Sequence, residues 1–392
     1  IDAVEGEIEL RDARLRVDDD VLVAKAGPRI ELRESRAKIA PFRIEGRGVG
    51  VLAEGDLPFD PEQPAAARVA GNVSLAMLSG RLPGLRVAGE SELEIRLSGR
   101  LAAPEWRGTV GLQQARLSYP GLPAPLENIN ATIVLTAERW TIEDLSTRFG
   151  GGRLTGNGAY LPVGEQAGHL MLAIDGEGIR VPLIEGLRSE FDARLTLEGK
   201  LEESLELSGD VRFARAAYVQ DIDLKRQLRV RTRGIAAGSE VGGMLDRIRL
   251  DLLAEAPGSL SVRNNLASID TTASLRIGGT AADPLVTGEV AVDEGGRVFF
   301  RDVTYYVSHG RLEYVSDPPA NPLLEIEAHT TVSKYDVNLL LTGRLEDPKS
   351  ELTADPPLSQ ADIVSLLVTG RTRDEFGGAA GGLAENQAAL YL

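Results

Sequence analysis

The segment Glu92-Leu-Glu-Ile-Arg-Leu97 shows the pattern that dominates this chain. Leu93, Ile95 and Leu97 alternate with charged residues, and successive side chains of a β-strand point to opposite faces of a sheet. The segment is therefore predicted to be a strand with one apolar face and one solvated face. Because parallel sheets covered on both faces give continuous apolar runs, the alternation favours antiparallel strands.

The same alternation recurs in four other segments, and helical periodicity is nearly absent before residue 358. These segments are Ile8 to Leu10, Phe191 to Leu197, Ile248 to Leu252 and Leu324 to Ala328. The sequence therefore predicts an all-β fold, built mainly from an antiparallel sheet with one apolar face.

The strongest helix signal follows these predicted strands in the sequence. Ser359 is a candidate N-cap with Asp362 three residues later, Leu358 can pack on Ile363, and Gly370 can end the helix in a left-handed conformation. A short C-terminal helix is therefore predicted.

The predicted helix carries an apolar stripe of Ile363, Leu366 and Leu367, which must be buried against something. The stripe can cap the end of the sheet or dock a partner, and both interpretations stay open at this point.

A loose repeat of Gly, four residues and Pro separates several strands. It occurs at Gly99–Pro104, Gly279–Pro284 and Gly343–Pro348. The spacing is irregular, unlike that of a solenoid or propeller, so we expect hairpins of varying length added to one sheet. No clear domain boundary is evident, although residues 58–64 are the weakest point of continuity. The predicted organisation is a β body over residues 1–355 and a helical segment over residues 356–392.

The composition excludes several function classes. Lys and Arg number 43 against 59 Asp and Glu, and the net charge of −16 argues against nucleic acid or an anionic membrane surface as the main partner. The absence of cysteine excludes disulfides and thiolate metal sites. No apolar run is long enough to span a membrane, and the sequence is interpreted as a fragment of a longer chain.

No catalytic or metal-binding pattern is evident. The three histidines, His169, His309 and His329, lie in unrelated segments. The Asp18-Asp19-Asp20 run and the pair Asp221 and Asp223 could bind calcium, but neither continues as an EF-hand loop. We therefore expect no enzyme activity, no cofactor and no metal.

The buried face is predicted to be aliphatic, with aromatic residues making up 5% of the chain. Such a face can form the closed core of a sandwich or line an open groove. Periodicity alone favours the closed core and leaves the groove as the alternative.

A run near the C-terminus resembles a known family. The strings Leu275-Arg-Ile-Gly-Gly-Thr-Ala-Ala-Asp-Pro284, Asn321-Pro-Leu-Leu-Glu-Ile-Glu-Ala-His-Thr330 and Leu341-Thr-Gly-Arg-Leu-Glu-Asp-Pro348 precede the Asp355 to Gly370 helix signal. In this order they resemble the C-terminal domain of the TamB family, within the AsmA-like group.

The resemblance implies a long curled antiparallel β-sheet, or β-taco, with a hydrophobic groove. It implies a periplasmic protein, anchored in the inner membrane of a diderm bacterium, with an outer-membrane partner of the BamA type called TamA. The implied functions are phospholipid transport between the membranes and outer-membrane protein assembly. The anchor and the strands that finish the domain are expected outside this sequence, which stops at Tyr391-Leu392 in a predicted second helix.

On this basis we expect phospholipid acyl chains to contact an inner wall of nine aliphatic residues. These are Leu93, Ile95, Leu97, Leu195, Leu197, Leu250, Leu252, Ile326 and Leu339. The stripe of Ile363, Leu366 and Leu367 is the expected contact with a TamA-like partner.

Three alternatives stay open. The apolar sheet could act as a scaffold that pairs with nascent outer-membrane β-strands. A structural β-solenoid at the cell surface would instead require regular repeats. A polysaccharide-degrading β-helix would require an acidic site with aromatic platforms.

Overall fold

The computed structural model describes residues 5–11, 13–17, 20–24, 26–79, 84–164, 167–183, 185–221, 244–300, 302–315, 321–345 and 347–373. Within these ranges the protein is nearly all β, with 23 strands assigned to one sheet and a single short α-helix near the C-terminus. The predicted fold class is confirmed in these respects. The calcium candidates Asp18, Asp19 and Asp223, and the predicted second helix up to Leu392, lie outside the described residues.

The chain divides into two compact units. Unit 1 comprises Ile1–Ile179 and Arg194–Leu207, and unit 2 comprises Arg180–Ala193 and Ser208–Leu392. The sequence shows no composition change at these positions.

Unit 1 contains thirteen complete strands in the described ranges. They are β1 Gly6–Glu9, β2 Ala13–Val17, β3 Asp20–Ala24, β4 Arg29–Arg33, β5 Arg36–Gly46, β6 Val49–Pro58, β7 Ala66–Ser74, β8 Arg86–Ser98, β9 Glu105–Ser118, β10 Leu126–Thr136, β11 Trp140–Phe149, β12 Gly152–Leu161 and β13 His169–Ile179. A 3-10 helix at Leu75–Leu78 follows β7. From β5 to β13 each strand pairs antiparallel with the next one in sequence.

The first four strands of unit 1 are short. β1 pairs with β4 and β2 pairs with β3, and the Leu10 N–H donates to the Pro28 carbonyl at 3.2 Å. Every residue of β1 is exposed, with Ile8 at 43%. The expectation that Ile8 to Leu10 forms a half-buried strand is therefore wrong. The reason is that β1 has a paired neighbour on only one side among the described residues.

A line of β-bulges crosses four consecutive strands of unit 1, and we call it the crease. It consists of Gly89 in β8, Gln114 in β9, Asn128 in β10 and Asp144 in β11, all with positive φ. The strand register shifts at each of these positions. Because a bulge bends its strand and raises the local twist, four aligned bulges bend the sheet along one line.

Polar side chains occupy the gaps that the crease leaves in the backbone ladder. The Gln114 N–H donates to Asn130 Oδ1 at 3.1 Å, and Asn130 Nδ2 donates to the Asn128 carbonyl at 2.8 Å. The buried Thr147 hydroxyl donates to the Glu127 carbonyl at 2.9 Å. The bend is thus built without leaving these backbone groups unpaired.

The remaining strands begin with two that run through both units, β14 Leu187–Lys200 and β15 Ser204–Tyr218. Unit 2 then continues after a 3-10 helix at Met244–Arg247 with β16 Ile248–Arg263, β17 Ala267–Gly279, β18 Pro284–Val292, β19 Arg297–Phe300, β20 Val303–Tyr314, β21 Leu323–Val332, β22 Tyr335–Arg344, β23 Asp347–Asp355 and α1 Gln360–Thr369. The Gly and Pro repeats fall at the β8–β9, β17–β18 and β22–β23 turns, as expected for added hairpins.

One place in unit 2 departs from the antiparallel order. Ser259 Oγ of β16 donates to the Phe213 carbonyl of β15 at 2.8 Å, and Asn264 Nδ2 donates to the Gln220 carbonyl at 3.2 Å. Moving from the first hydrogen bond to the second, the residue number increases on the β15 side and also on the β16 side. The two segments therefore run in the same direction, as parallel neighbours do. Parallel neighbours require a crossover connection of about a dozen residues or more. The chain between β15 and β16 is long enough for one, although residues 222–243 lie outside the described part.

The α1 helix has the predicted ends. Ser359 is the N-cap and its Oγ accepts the Asp362 N–H at 3.2 Å, while Gly370 has φ 75° and donates its N–H to the Leu366 carbonyl at 2.8 Å. The Asp362 carboxylate accepts the Ser359 hydroxyl. In a capping box the Asp362 carboxylate would accept a hydrogen bond from the Ser359 backbone N–H instead.

The α1 helix covers a closed core in unit 2. Ile363 and Leu366 are 1% and 0% exposed, and they cluster with Val337, Leu339 and Leu352 on the apolar face of β22 and β23. The cluster extends through β17 to β21. In this part of unit 2 the apolar face is therefore a closed core.

Candidate functional site: the apolar face of unit 1

The apolar face of unit 1 is formed by residues that oppose each other across nine strands. The first set, the Leu93 row, is continuous from β5 to β13. It consists of Ile44, Val51, Gly71, Leu93, Val110, Ile133, Ile142, Gly158 and Leu172. With neighbouring strands about 4.8 Å apart, the row extends over roughly 38 Å.

A second set, the Ile95 row, runs beside the first along the same strands. It consists of Phe42, Ala53, Val69, Ile95, Gly108, Leu135, Trp140, Tyr160 and Leu170. Every side chain in the two rows is apolar or aromatic. Since directly opposed residues share a face, the two rows form one continuous apolar strip.

The large aliphatic side chains of this strip are half-buried. Of the Leu93 row only Val51 is buried, whereas the other large side chains have intermediate exposure. Several of the fully buried apolar residues of unit 1 are alanines, such as Ala115 and Ala131. Intermediate exposure is expected for side chains flanked by strand neighbours but not covered by a second layer, whereas the core beneath α1 is almost inaccessible.

The predicted inner-wall residues fall into two environments. Leu93, Ile95 and Leu97 belong to the half-buried face of unit 1, where Leu97 opposes Trp106. Four others in β14 and β16 are also half-buried, namely Leu195, Leu197, Leu250 and Leu252. Ile326 packs at the margin of the α1 core, and Leu339 lies inside it at 1% exposure.

The predicted partner stripe is mostly covered by the protein itself. Ile363 and Leu366 lie in the closed core, and Leu367 packs partly against it. The large apolar residue of α1 that faces solvent is Val368, at 41% exposure, which does not belong to the predicted stripe.

Three glycines also belong to the two rows, although the alternation of apolar and polar residues did not predict them as part of the apolar face. Gly71, Gly108 and Gly158 stand where an alternating strand would place large side chains. A Cβ at Gly158 would meet the Met171 carbonyl and Leu172 of the next strand. These glycines therefore allow close approach of neighbouring strands. The glycine-rich stretch 150–158 is a sequence signal for Gly158, whereas Gly71 and Gly108 have no such signal.

Two tryptophans and a tyrosine lie at one end of the strands on this face. Trp140 and Tyr160 oppose each other with ring centroids 5.2 Å apart, and Trp106 follows at the start of β9. The Trp140 Nε1–H is buried and has no hydrogen-bond partner among the described residues. Leaving such a donor unpaired costs about 1–3 kcal/mol, so this is a locally unfavourable arrangement.

The opposite face of the same strands carries ion pairs. Arg68 Nε lies 2.9 Å from Glu94 Oε1 and its Nη1 lies 3.7 Å from Glu54, while Arg96 Nη2 lies 2.7 Å from Glu94 Oε1. The hydrogen bond from Arg68, together with the charges of Arg96 and Arg68, holds the pKa of Glu94 below its ordinary value. The charged face thus has ordered cross-strand pairing.

We expect the pKa of the Glu94 carboxyl to lie below that of an ordinary glutamate. In the Arg68→Gln variant this pKa should rise towards the ordinary value. Because the folded pKa is depressed, the stabilising contribution is present above the ordinary glutamate pKa and is lost as the pH falls through the folded pKa. Carbon-detected NMR titration measures the shift. Arg116→Gln, which removes the partner of Glu127, is the matched control and should leave Glu94 unchanged. A Glu94 pKa indifferent to Arg68→Gln would contradict the assignment.

An open, polar cavity of about 640 Å³ lies in unit 2 beside α1. Asp302, Tyr306, His329 and Leu367 are among its lining residues, and Ser308 Oγ lies 3.0 Å from His329 Nδ1. No group of three or more His, Asp or Glu in the described ranges is arranged to hold a metal ion.

Among the residues that the structure describes, no helix has both the length and the apolar character to cross a membrane. The family model of the TamB C-terminal domain matches residues 143–391, which is more than half of the chain.

Proposed function

The chain belongs to the TamB family, and from this premise we propose that its apolar face is a conduit for phospholipid acyl chains between the inner and outer membranes. The TamB family is a non-enzymatic family of transport and assembly proteins that work with TamA. The proposal assigns the transport role to the half-buried strip of unit 1.

The observation that carries the proposal is the continuity of the Leu93 and Ile95 rows across nine strands with half-buried side chains. Aliphatic surface of this kind can contact acyl chains without any directional bond, because the hydrophobic effect is non-directional. A lipid can therefore move from one strand to the next without a large barrier.

The energetic need for such a surface is large. A two-chain lipid in water exposes on the order of 30 methylenes at about 0.8 kcal/mol each, which makes a penalty of about 25 kcal/mol. Contact with a continuous apolar strip removes much of this penalty, and no catalytic residue is required. The residues proposed to contact acyl chains in unit 1 are Leu93, Ile95, Leu97, Leu195 and Leu197. Leu250, Leu252 and Ile326 are proposed to contact acyl chains within unit 2, with Ile326 beside the α1 core.

The proposed setting is the periplasm, as part of a longer chain anchored in the inner membrane. The charged outer face, with ion pairs such as Arg68–Glu94 and Arg276–Asp251, is suited to water. The proposed partner is a TamA-like outer-membrane protein. Because Ile363 and Leu366 are buried, a contact through α1 would use its exposed side at Val368 unless the helix leaves the sheet.

A scaffold for outer-membrane protein assembly is the second candidate, because the same sheet has a strand, β23, whose only strand partner in the described ranges is β22. An incoming strand could pair there. Exposed charged residues such as Lys349 and Glu351 on β23 weigh against such pairing, since charges protect sheet edges. A surface β-solenoid is disfavoured by the irregular hairpin spacing.

The test is to purify the chain under native conditions from a Gram-negative periplasm, extract it with organic solvent and quantify phospholipid by mass spectrometry. A β-sandwich of similar size, purified in the same way, is the control. We expect phospholipid well above the control. Folded protein that carries no more lipid than the control would contradict the conduit and leave the scaffold as the favoured function.

A further inference from the structure

We infer that lipid lies on unit 1 in one orientation, with its ester and headgroup region at the end of the strands marked by Trp106, Trp140 and Tyr160. This inference rests on the proposed function and adds to it the side of the face from which the headgroup projects. We call these three residues the indole rim. Both tryptophans of the chain belong to it.

The indole rim is defined by strand register. Trp106 is the second residue of β9, Trp140 is the first residue of β11, and Tyr160 is the last residue but one of β12. Since consecutive strands are antiparallel, all three lie at the same end of the sheet. Each is on the apolar face, because Trp106 opposes Leu97, and Trp140 opposes both Leu135 and Tyr160.

The opposite end of the same strands has a different chemistry. There the apolar residues that oppose one another are Val87, Leu117, Leu126 and Phe149. None of these four paired side chains has an N–H or O–H group, and the hydroxyl-bearing Tyr119 follows them in the β9–β10 turn. The indole donors are therefore confined to the other end of the face.

Tryptophan and tyrosine favour the boundary between apolar and polar surroundings, because their rings are apolar and their N–H or O–H groups need acceptors. The ester carbonyls of a glycerophospholipid are such acceptors and lie at the same boundary of the lipid. The buried Trp140 Nε1–H has no partner in the described residues and is therefore a donor that an ester oxygen could satisfy.

An arginine at the rim can pair with a phosphate, and it stands beside the exposed Glu138 in the same turn. Arg139 is exposed in the β10–β11 turn immediately before Trp140, and the described residues give its guanidinium no ion pair. Arginine is well suited to phosphate because its planar fork can donate two parallel hydrogen bonds.

The dimensions of the face fit one acyl layer. From Trp140 to Leu145, just past the crease in β11, the strand covers about 17 Å at roughly 3.4 Å per residue. Half of a bilayer core is about 15 Å. A lipid with its esters at the rim would therefore extend its acyl chains to the crease.

The two tryptophans provide the test, since the emission of the unmodified chain reports only on the rim. The chain is loaded with phosphatidylglycerol brominated either near the ester end or near the terminal methyl of its acyl chain, and the bromine quenches indole emission at short range. We expect a larger loss of emission with bromine near the ester. A Trp106→Phe, Trp140→Phe, Phe149→Trp variant places the reporter at the opposite end, and there we expect the order to reverse.

The outcomes separate the two proposals. Equal quenching by both lipids, or stronger quenching by the methyl-end lipid in the unmodified chain, overturns the orientation while leaving the conduit intact. Absence of quenching by either lipid, together with absence of brominated lipid from the solvent extract, overturns the conduit and the orientation with it. If the ester-end lipid quenches more strongly in the unmodified chain and also in the variant, the orientation is overturned as well.

Discussion

Leu366→Asp is expected to unfold the part of unit 2 that surrounds α1. The Leu366 side chain is 0% exposed and lies among Ile363, Val337 and Leu339. The substitution removes a buried leucine and places a carboxylate in an apolar core without a partner, so we expect the free energy of unfolding to fall by about 4 kcal/mol or more. Urea denaturation followed by circular dichroism, with limited proteolysis to locate the loss, measures this effect.

Val368→Asp is the matched control for this result. It adds the same charge to the same last turn of α1, but at a side chain that is 41% exposed. We expect a change within about 0.5 kcal/mol, as for most surface substitutions. If the two variants were equally stable, the α1 core would not be closed in solution. The comparison also shows why a charge at Leu366 cannot test a TamA contact, since it disrupts folding first.

Three glutamates in the Leu93 row are expected to abolish lipid retention while the protein stays folded. Val110→Glu, Ile133→Glu and Ile142→Glu lie side by side on β9, β10 and β11, and all three side chains are half-buried. A carboxylate facing an acyl chain loses solvation, and each 1.4 kcal/mol of unfavourable free energy is a factor of ten in binding. We therefore expect at least a roughly tenfold loss of extracted phospholipid.

The control variant uses the other face of the same strands. Thr109→Glu, Val134→Glu and Thr141→Glu oppose one another in register one residue away from the first set. We expect this variant to keep its lipid. Unfolding of the first variant alone would show that the face of unit 1 is a closed core, and lipid loss in both variants would exclude the Leu93 row as the lipid surface.

Much of the fold could be predicted because it depends on local chemistry. The alternation at Leu93 to Leu97 identified both the strand and its apolar side, and the capping residues Ser359 and Gly370 identified both ends of α1. Such features involve residues within a few positions of one another. The role of the apolar face as a lipid surface stays a prediction.

The features that could not be predicted depend on partners distant in sequence. Leu93 lies between two glutamates and Leu339 between Asn338 and Leu340, and in neither case do these neighbours identify what covers the side chain. Leu339 is covered because α1 packs over its part of the sheet. Ile8 is exposed because β1 has a strand neighbour on only one side in the described part of the chain, which alternation does not reveal. Gln114 has positive φ at a bulge aligned with those of the neighbouring strands, and glutamine does not mark such a position by itself. Aspartate, as at Asp144, is enriched at positive φ, but its type alone does not identify a bulge.

The Gly and Pro hairpin turns, finally, suggest how the length of such a protein can change in evolution. Each inserted or deleted hairpin adds or removes two strands, or about 10 Å of sheet, and returns the chain to the same end of its neighbour. The flanking register and the side that carries the apolar residues are therefore preserved. Gene duplication within the coding sequence could thus lengthen or shorten the sheet in discrete steps, without redesign of the existing strands.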